Sequence, residues 1–426
     1  MNAHDRGARR CILVIGTCDT KSEELRYIRE CLEAAGAAVL LMDVGVLGTP
    51  SLAPDLSNVE VAAAARATLD EVAAQGDENL AMSRMAEGAA RLARRLHDDG
   101  RIHGVLMLGG TMGTDLALDV AAALPLGVPK FVVSTVAFSH LIPPERVSPD
   151  LTMMLWAGGL YGLNSACRAI LGQAAGAVLG AARMADEVRP ARPLVGISSL
   201  GKSCLNYMVR LKPALEARGY EVAVFHTTGM GGRAFEAMAA QRRFAAVMDF
   251  SLQEVSNQVH GSVVSSGAGR LTAAGRAGIP QLVAPGAADM IDLPAWQPVP
   301  EAYRDRPLHV HNRLIASVTA TPEERRHTAR RIAECLAEAG APVTLLLPRQ
   351  GVQAWDRPGE ALHDAQGLAA LLDELRTRVA PPAQVVEVDA HINDPLFAAT
   401  ALERFDAWVR EGIVPRGVAL DQELEA

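Results

Sequence analysis

Short apolar runs alternate with segments of helical periodicity along almost the whole chain. This alternation is typical of βαβ units, in which helices cover the faces of a parallel sheet. Predicted strands lie at residues 11–15, 38–42, 105–108 and 130–134, and again at 194–197, 221–225, 245–249, 281–283 and 343–347. The pattern predicts an α/β fold with two doubly wound, Rossmann-like parallel-sheet domains.

The length of 426 residues also favours two domains, because single hydrophobic cores stop growing at about 250 to 300 residues. Residues 186–193 combine charged side chains with two prolines, which predicts a linker. We therefore predict an N-terminal nucleotide-binding α/β domain at residues 1–188. A C-terminal α/β domain with a second site for an anion or substrate is predicted at residues 194–426.

Composition excludes several classes of protein. The net charge of −8 argues against nucleic acid as a partner, because binding a phosphate backbone requires a concentrated basic surface. The six cysteines form no C-x-x-C pair, which indicates reduced thiols. The least charged stretch, residues 151–167, contains glycines and polar residues and predicts a buried helical hairpin rather than a membrane span. Residues 59–96 are predicted to be helical, and we expect a soluble, cytoplasmic protein with no membrane partner.

The first candidate binding segment is Gly16-Thr-Cys-Asp-Thr-Lys-Ser22, a small, hydroxyl-rich turn between a predicted strand and a helix. Ligands of open α/β sheets bind beyond the carboxyl ends of the strands. Backbone amides and the helix dipole favour an anion there, and Thr17, Thr20 and Lys21 can contact phosphate oxygens. The alternative is an ordinary helix start, with Thr20 or Ser22 as its N-cap.

The second candidate segment is Gly109-Gly-Thr-Met-Gly-Thr114, which follows a predicted strand and precedes a helix from about residue 115. Its glycines permit positive φ and close approach of the main chain, and its threonines add hydroxyl donors, which suits a di- or triphosphate. The alternative is a tight turn. Ser134 and Thr135 follow the next strand and can line the same crevice. Asp43 ends the second strand, where an aspartate can hold a ribose hydroxyl or a metal, or simply form a turn.

The segment Gly196-Ile-Ser-Ser-Leu-Gly-Lys-Ser203 matches the P-loop pattern G-x-x-x-x-G-K-[ST]. A P-loop needs a full apolar strand ahead of its first glycine. Here only Leu194 and Val195 precede that glycine, behind Pro193. We therefore expect that this match is not a functional P-loop.

The last candidate segment is His226-Thr-Thr-Gly-Met-Gly-Gly-Arg233, between a predicted strand and a helix. Arg233 beside three glycines can receive a carboxylate or phosphate, and His226 can act as a general acid or base. Asp289, in another segment that follows a strand, can complete this second crevice. His309, His311 and His391 are weaker candidates for a metal site, because sequence spacing alone does not bring them together.

Several of these segments, taken in order with residues 311–313, 321–324 and 391–395, resemble one family over nearly the whole chain. It is an uncharacterised family that includes the ATP-binding N-terminal half of a plant tobamovirus-resistance protein, the Tm-one-like family. The resemblance implies two α/β subdomains, ATP with Mg²⁺ bound by the N-terminal subdomain, and self-association into dimers or higher homo-oligomers. It supports as nucleotide contacts Gly16, Thr17, Asp19, Thr20, Lys21, Gly109, Gly110, Thr111, Gly113 and Thr114. It marks as a second site Thr227, Thr228, Gly229, Gly231, Gly232 and Arg233.

The leading functional hypothesis is an ATP-binding protein that acts as an ATP-dependent transferase or ligase on a small carboxylated or phosphorylated metabolite. In phosphoryl transfer, Lys21 and Mg²⁺ would neutralise phosphate charge and Arg233 would orient the acceptor. One alternative is a nucleotide-sensing or interaction protein whose dimer is stabilised by ATP. The other is a metal-dependent hydrolase that uses the three histidines, although no metal ligands are assigned.

Overall fold

The computed structural model describes residues 9–185 and 192–418. The chain divides into two compact units, Met1–Val188 and Arg189–Ala426. Each unit has its own parallel sheet and its own hydrophobic cores. Most of the predicted linker at residues 186–193 lies outside the described residues.

The sheet of the first unit has five parallel strands in the order β2-β1-β3-β4-β5. The strands are β1 (Cys11–Gly16), β2 (Ala38–Asp43), β3 (Gly104–Gly109), β4 (Lys130–Ser134) and β5 (Leu151–Leu155). The predicted helical hairpin at residues 151–167 is wrong, because β5 pairs with β4 as an edge strand. Neighbouring residues of β5 point to opposite faces, so that Met153 and Met154 pack into different cores.

Helices cover both faces of this sheet. They are α1 (Ser22–Ala34), α2 (Asn58–Ala64), α3 (Leu69–Ala73), α4 (Glu78–Asp98), α5 (Thr111–Ala123) and α6 (Ser165–Met184). Apolar residues of α1 and α6 pack on one face with Ile12 and Val14, whereas α2, α4 and α5 pack on the other face with Leu13 and Ile15. The predicted helical region at residues 59–96 divides into three helices. Ser57 and Thr68 each form a capping box that begins a new helix.

The sheet of the second unit has six parallel strands in the order β14-β13-β9-β8-β6-β7. These strands are β6 (Leu194–Ser199), β7 (Glu221–His226), β8 (Ala246–Asp249), β9 (Gln281–Val283), β13 (Val343–Pro348) and β14 (Gln384–Val388). A separate antiparallel sheet has the order β10-β12-β11, with β10 (Met290–Pro294), β11 (Leu308–Val310) and β12 (Ile315–Thr319). Two doubly wound, Rossmann-like sheets confirm the predicted fold class.

The helices of the second unit are α7 (Asn206–Glu216), α8 (Met230–Ala240), α9 (Gln253–Val259), α10 (Ala273–Arg276), α11 (Pro322–Ala337), α12 (Ala365–Arg378) and α13 (Pro395–Arg410). Within the described ranges, no helix is both long enough and apolar enough to cross a membrane. The six cysteines form no disulfide bond among the described residues.

Candidate functional site

A cleft of about 550 Å³ lies at the carboxyl edge of the first sheet. Strands β1 and β3 are neighbours there, and the turns that follow them form two of its walls. The chain leaves β1 toward β2 on one side and continues from β3 to β4 on the other. This is the switch point of a doubly wound sheet, the place where such folds bind their ligands.

The cleft brings together residues from both glycine-containing turns. The two turns are far apart in the sequence, but they follow strands that are neighbours in the sheet. The predicted contacts that line it are Gly16, Thr17, Asp19, Thr20, Lys21, Gly109, Gly110, Thr111 and Gly113. Four other predicted contacts, Asp43, Thr114, Ser134 and Thr135, do not line it. Thr114 and Ser134 are buried, and their hydroxyl groups are hydrogen-bonded to each other at 2.7 Å.

The helices that begin at this cleft are unusual in their first turns. Helices α2, α3, α4 and α6 each have an N-cap side chain that accepts a hydrogen bond from a backbone amide. Helices α1 and α5 have the N-cap residues Lys21 and Gly110, and neither provides a side-chain cap. Helix N-termini carry partial positive charge and leave their first amides without partners inside the helix. Among the α-helices in the described part of this unit, the two without a side-chain cap therefore both begin at the cleft.

The glycines of the second turn are required for close packing rather than for unusual dihedral angles. A Cβ atom added to Gly109 would lie 2.5 Å from the Cα atom of Gly113, because the backbone folds tightly against itself there. Neither residue, nor Gly110, has a positive φ, so of the two properties that the glycines permit, only the close approach of the main chain is used here. Helix α5 begins at Thr111, four residues earlier than predicted. Gly113 and Thr114 consequently belong to its first turn.

Lys21 lines the cleft and also contacts the loop that follows β5. Its ammonium group donates a hydrogen bond to the carbonyl oxygen of Leu160 and lies 4.6 Å from the ring centroid of Tyr161. The hydroxyl groups of Thr17 and Thr20 are hydrogen-bonded at 2.6 Å. A cation and two hydroxyl groups therefore stand at the start of α1, where an anion would be stabilised.

Asp43 lies behind the cleft rather than in it. Its buried Oδ1 atom accepts hydrogen bonds from the amides of Cys18 and Gly45, both at 2.9 Å. Burial raises the pKa of Asp43, although these two amides oppose the shift. Asp43 thus positions the turns after β1 and β2. It does not line the cleft, although a ligand contact was one of its two predicted roles.

Asp19 is a predicted contact that does line the cleft, as the acidic residues Asp77 and Glu78 also do. Among the described residues, its buried Oδ1 atom has no hydrogen-bond partner, and the same is true of Oδ2 of Asp43. A Cβ atom added to Gly45 would lie 3.0 Å from Asp19 Oδ1 and 3.2 Å from Asp43 Oδ1, so the two carboxylates are neighbours. Mg²⁺ prefers oxygen ligands and is commonly held by one or two carboxylates plus phosphate oxygens and water. Asp19, which lines the cleft, therefore has a carboxylate oxygen that fits a magnesium ion.

Sequence reasoning missed the apolar wall of the cleft. It comes from the loop after β2 and from helices α3 to α5, and it includes Val44, Val46, Leu47, Ala73, Ala81, Met82 and Met112. The loop after β2 could have been found, because it also follows a strand of the same sheet. No local signal marks Ala73 or Met82, which the fold alone brings to the cleft.

The P-loop match does not form a P-loop, as the short apolar run before it indicated. Gly196 to Ser199 lie within β6, whereas the first glycine of a P-loop follows its strand. Lys202 lies in an exposed turn, and helix α7 begins only at Asn206.

In the second unit, the segment predicted to bind an anion already binds a carboxylate group of the protein itself. The buried carboxylate of Glu254 accepts hydrogen bonds from the amides of Gly229, at 2.6 Å, and Gly232, at 3.1 Å. Thr227 is also buried, and its hydroxyl group is bonded to Ser251 at 2.7 Å. The glycine amides are thus used to hold α9 beside α8. His226 and Thr228 flank this arrangement, whereas Gly231 and Arg233 lie in the first turn of α8.

Glu254 belongs to a buried ionic cluster around Arg270. The guanidinium group of Arg270 pairs with Glu254, Asp249 and Glu236. Burial raises the pKa of Glu254, and the charge of Arg270 opposes this shift. No sequence pattern predicted this cluster, because its members come from four separate segments.

The remaining predicted residues lie around the loop at residues 353–356, where Gln353 is hydrogen-bonded to Asp289 at 3.4 Å and to His391 at 2.9 Å. Asp289 is buried, and burial raises its pKa to about 6. His391 is also buried, with Nε2 2.9 Å from Asp356, whereas the rings of His309 and His311 pack against Trp355. Across residues 9–185 and 192–418, no group of three or more His, Cys, Asp or Glu side chains is arranged to hold a metal ion.

The sequence matches two family descriptions that together cover both units. Residues 10–187 match the Uncharacterised protein family (UPF0261) N-terminal domain, and residues 192–409 match the C-terminal domain of the same family. The chain belongs to the UPF0261 family. It is 57% identical over 417 residues to a UPF0261 protein of Brucella melitensis, covering 98% of this chain and 99% of that protein. A UPF0261 protein of Clostridium tetani is 36% identical, covering 91% of this chain and 96% of its own length.

The plant relative anticipated from the sequence is also found. The chain is 29% identical to the ToMV resistance protein Tm-1(GCR237) of Solanum lycopersicum, covering 92% of this chain and 55% of that protein. A crystal structure of UDP-N-acetylglucosamine 2-epimerase is similar over 65% of this chain and 79% of its own, with 9% identity and a TM-score of 0.23. A likeness that low carries no argument about activity.

Proposed function

We propose that the first unit binds ATP as its magnesium complex in the cleft between β1 and β3. The observation that carries this proposal is the pair of helices without side-chain caps, α1 and α5, whose N-termini both face the cleft. Two such termini at one point favour a ligand with several negative charges, because each supplies unpaired amides and partial positive charge. The resemblance to the Tm-one-like family supports the same ligand.

Each wall of the cleft has a role in this proposal. The amides at Gly110 and Thr111 would bind phosphate oxygens, and Lys21 would leave Leu160 to neutralise their charge. Asp19 would hold Mg²⁺, which supplies charge neutralisation on the phosphates when bound. The apolar side chains of Val46 and Met82 would contact the adenine base. Most small-molecule sites bury the apolar part of the ligand against such side chains.

The proposal is tested by calorimetric titration of MgATP into the purified protein and into two lysine variants. Lys21→Met removes the cation that lines the cleft, and we expect at least a tenfold loss of affinity, the order of magnitude for one charge-assisted contact of about 1.5 kcal/mol or more. Lys202→Met removes an exposed lysine of the P-loop match and should leave the affinity unchanged. Absence of MgATP binding to the unmodified protein, or equal effects of the two variants, would refute the proposal.

We favour an ATP-dependent enzyme over a protein that only senses nucleotide, because a second cleft adjoins the first. The adjoining cleft shares Glu78, Met82, Thr111 and Met112 with the nucleotide cleft. Release of ADP or AMP in the presence of candidate metabolites would support an enzyme. If ATP binds but is never turned over, and if it shifts the oligomeric state on a sizing column, the sensing alternative is correct.

A further inference from the structure

The second cleft has a volume of about 460 Å³ and adjoins the nucleotide cleft at the N-terminus of α5. Thr111 and Met112 of the first turn of α5 border both cavities. A group bound in the second cleft would therefore lie next to a ligand bound to the first backbone amides of α5. No predicted substrate residue lies in this cleft, because all of them were placed in the second unit.

The walls of this cleft define the size and polarity of its ligand. Its apolar lining includes Leu118, Val136, Leu141, Ile142 and Pro143. Its polar lining includes Asn79 and Asp115, near the N-termini of α4 and α5. Such a cavity favours a small molecule with an apolar body and one polar end.

The charges of the cleft favour a cationic polar end. Arg146 is the basic residue among the described residues that line it, and its guanidinium group is bonded to both Asp115 and Asp119. One arginine between two aspartates leaves a negative charge in excess, and the carboxylate of Glu78 adds another. Arg146 is thus already paired and does not offer a free charge to a carboxylate or phosphate. Although burial opposes its charge, hydrogen bonds to Asp119 and Asp115 raise the pKa of Arg146, so it stays charged in this pairing.

We propose that this second cleft binds the co-substrate of the nucleotide, and that the co-substrate is a small amine with an apolar body. Its role as co-substrate rests on the proposed binding of MgATP in the neighbouring cleft, whereas its preference for an amine rests only on the residues just described. This class differs from the carboxylated or phosphorylated metabolite expected from the sequence. That expectation relied on the segment at residues 226–233, where Glu254 occupies the glycine amides.

Three probes with the same ring and different polar ends test the proposal. Benzylamine, benzyl alcohol and benzoate are titrated separately into the full-length protein and followed by ligand-observed NMR at low salt. We expect benzylamine to bind about two- to fivefold more tightly than benzyl alcohol, the range for an exposed ion pair, and benzoate to bind weakest. Binding of benzoate as tight as that of benzylamine would overturn the proposal.

Two matched variants locate the binding site. Asp115→Asn removes an arginine-paired aspartate that lines the cleft, and we expect it to abolish the advantage of the amine over the alcohol. Asp98→Asn removes an arginine-paired, similarly exposed aspartate at the end of α4 that lines neither cleft, and it should change nothing. Equal effects of the two variants would overturn the assignment of the site.

A repeat of the titrations with MgATP present separates this proposal from the function proposed above. If MgATP binds and benzylamine does not, only the amine site is refuted. If benzylamine binds with the expected preference and MgATP does not bind, the nucleotide site is refuted and the amine site stands. If both bind, we expect MgATP to change the affinity for benzylamine at least twofold, because the two cavities share walls; complete independence would contradict the role as co-substrate.

Discussion

The backbone amide of Cys18 donates a 2.9 Å hydrogen bond to Oδ1 of Asp43, 25 residues further along the chain. The same oxygen accepts the amide of Gly45. One buried carboxylate oxygen therefore joins the turn after β1 to the turn after β2. Asp43 contributes to the cleft by fixing two of its walls, which explains why an aspartate ends this strand although no ligand would touch it.

We expect Asp43→Ala to destabilise the first unit by about 1–3 kcal/mol, because two buried amides would lose their acceptor. Asp43→Asn should cost less, since the amide oxygen can still accept both hydrogen bonds and the buried charge is removed. Chemical denaturation of the two variants measures the difference. Equal losses would mean that the charge, rather than the acceptor, is what the turns require.

Gly109→Ala should reduce affinity for MgATP at least tenfold and destabilise the protein by about 1–3 kcal/mol. The added methyl group would lie 2.5 Å from Gly113 Cα, and backbone cannot move aside as a flexible side chain can. Gly110→Ala is the matched control for stability, because its methyl group would meet only Thr135 Oγ1, at 3.8 Å. Denaturation of both variants and titration of Gly109→Ala with MgATP test this. A tolerated Gly109→Ala would show that the tight turn is not needed.

Glu254→Ala should destabilise the second unit by about 3–5 kcal/mol, the usual cost of breaking a buried ion pair. It would also vacate the amides of Gly229 and Gly232, and we expect phosphate to restore part of the lost stability by binding there. A melting temperature that rises with phosphate, but not with sodium chloride of equal ionic strength, is the expected result.

Glu254→Gln provides the control for this rescue. Its side-chain oxygen can still accept from the two glycine amides, so phosphate should not raise its melting temperature. Phosphate stabilisation of the unmodified protein through this segment would instead support the anion site that the sequence predicted there.

Burial, with a smaller effect of His309, lowers the pKa of His311 to about 4. A histidine whose pKa is lower in the folded state than the ordinary 6.5 stabilises the fold fully above pH 6.5. This contribution is lost as the pH falls toward 4, because the unfolded chain takes up the proton first. We expect the free energy of unfolding of His311→Gln, which can retain the contact with Ser317, to fall less over that range than that of the unmodified protein.

The measurement for His311 is the free energy of unfolding at several pH values between 4 and 6.5, for the protein and the variant. Other groups titrate in this range, among them the buried Asp292, so only the difference between the two proteins is informative. NMR titration of the His311 ring should give a midpoint near 4. A midpoint near 6.5 would contradict the prediction.

The regular parts of the fold could be predicted from sequence because apolar runs mark buried strands wherever they occur. Strand β5 was missed since Leu151–Leu155 lies at the sheet edge and continues into an uncharged loop, which removes the usual contrast between strand and turn. The breaks between α2, α3 and α4 did have a local signal. Ser57 with Glu60, and Thr68 with Glu71, are capping boxes that can be found by inspection.

The candidate site was predictable only where it follows strands. The turns at residues 16–21 and 109–113 share a cleft because β1 and β3 are paired, and strand order follows a small set of rules. The position of Glu254 among the amides of α8 could not be predicted, because it depends on how a helix 22 residues further along the chain packs. The apolar wall could not be predicted for the same reason. Met82 is part of an ordinary helical pattern in the sequence, and only the tertiary fold places it at the cleft.

Helices α1 and α5 lie on opposite faces of the first sheet, yet both begin at its carboxyl edge. A single polyanion bound to both helix starts would hold the helix layers of the two faces together at that edge. Occupancy should consequently make the two faces unfold as one cooperative block, with slowed amide hydrogen exchange on both sides of the sheet at once. An effect confined to one face would mean that only one helix holds the ligand.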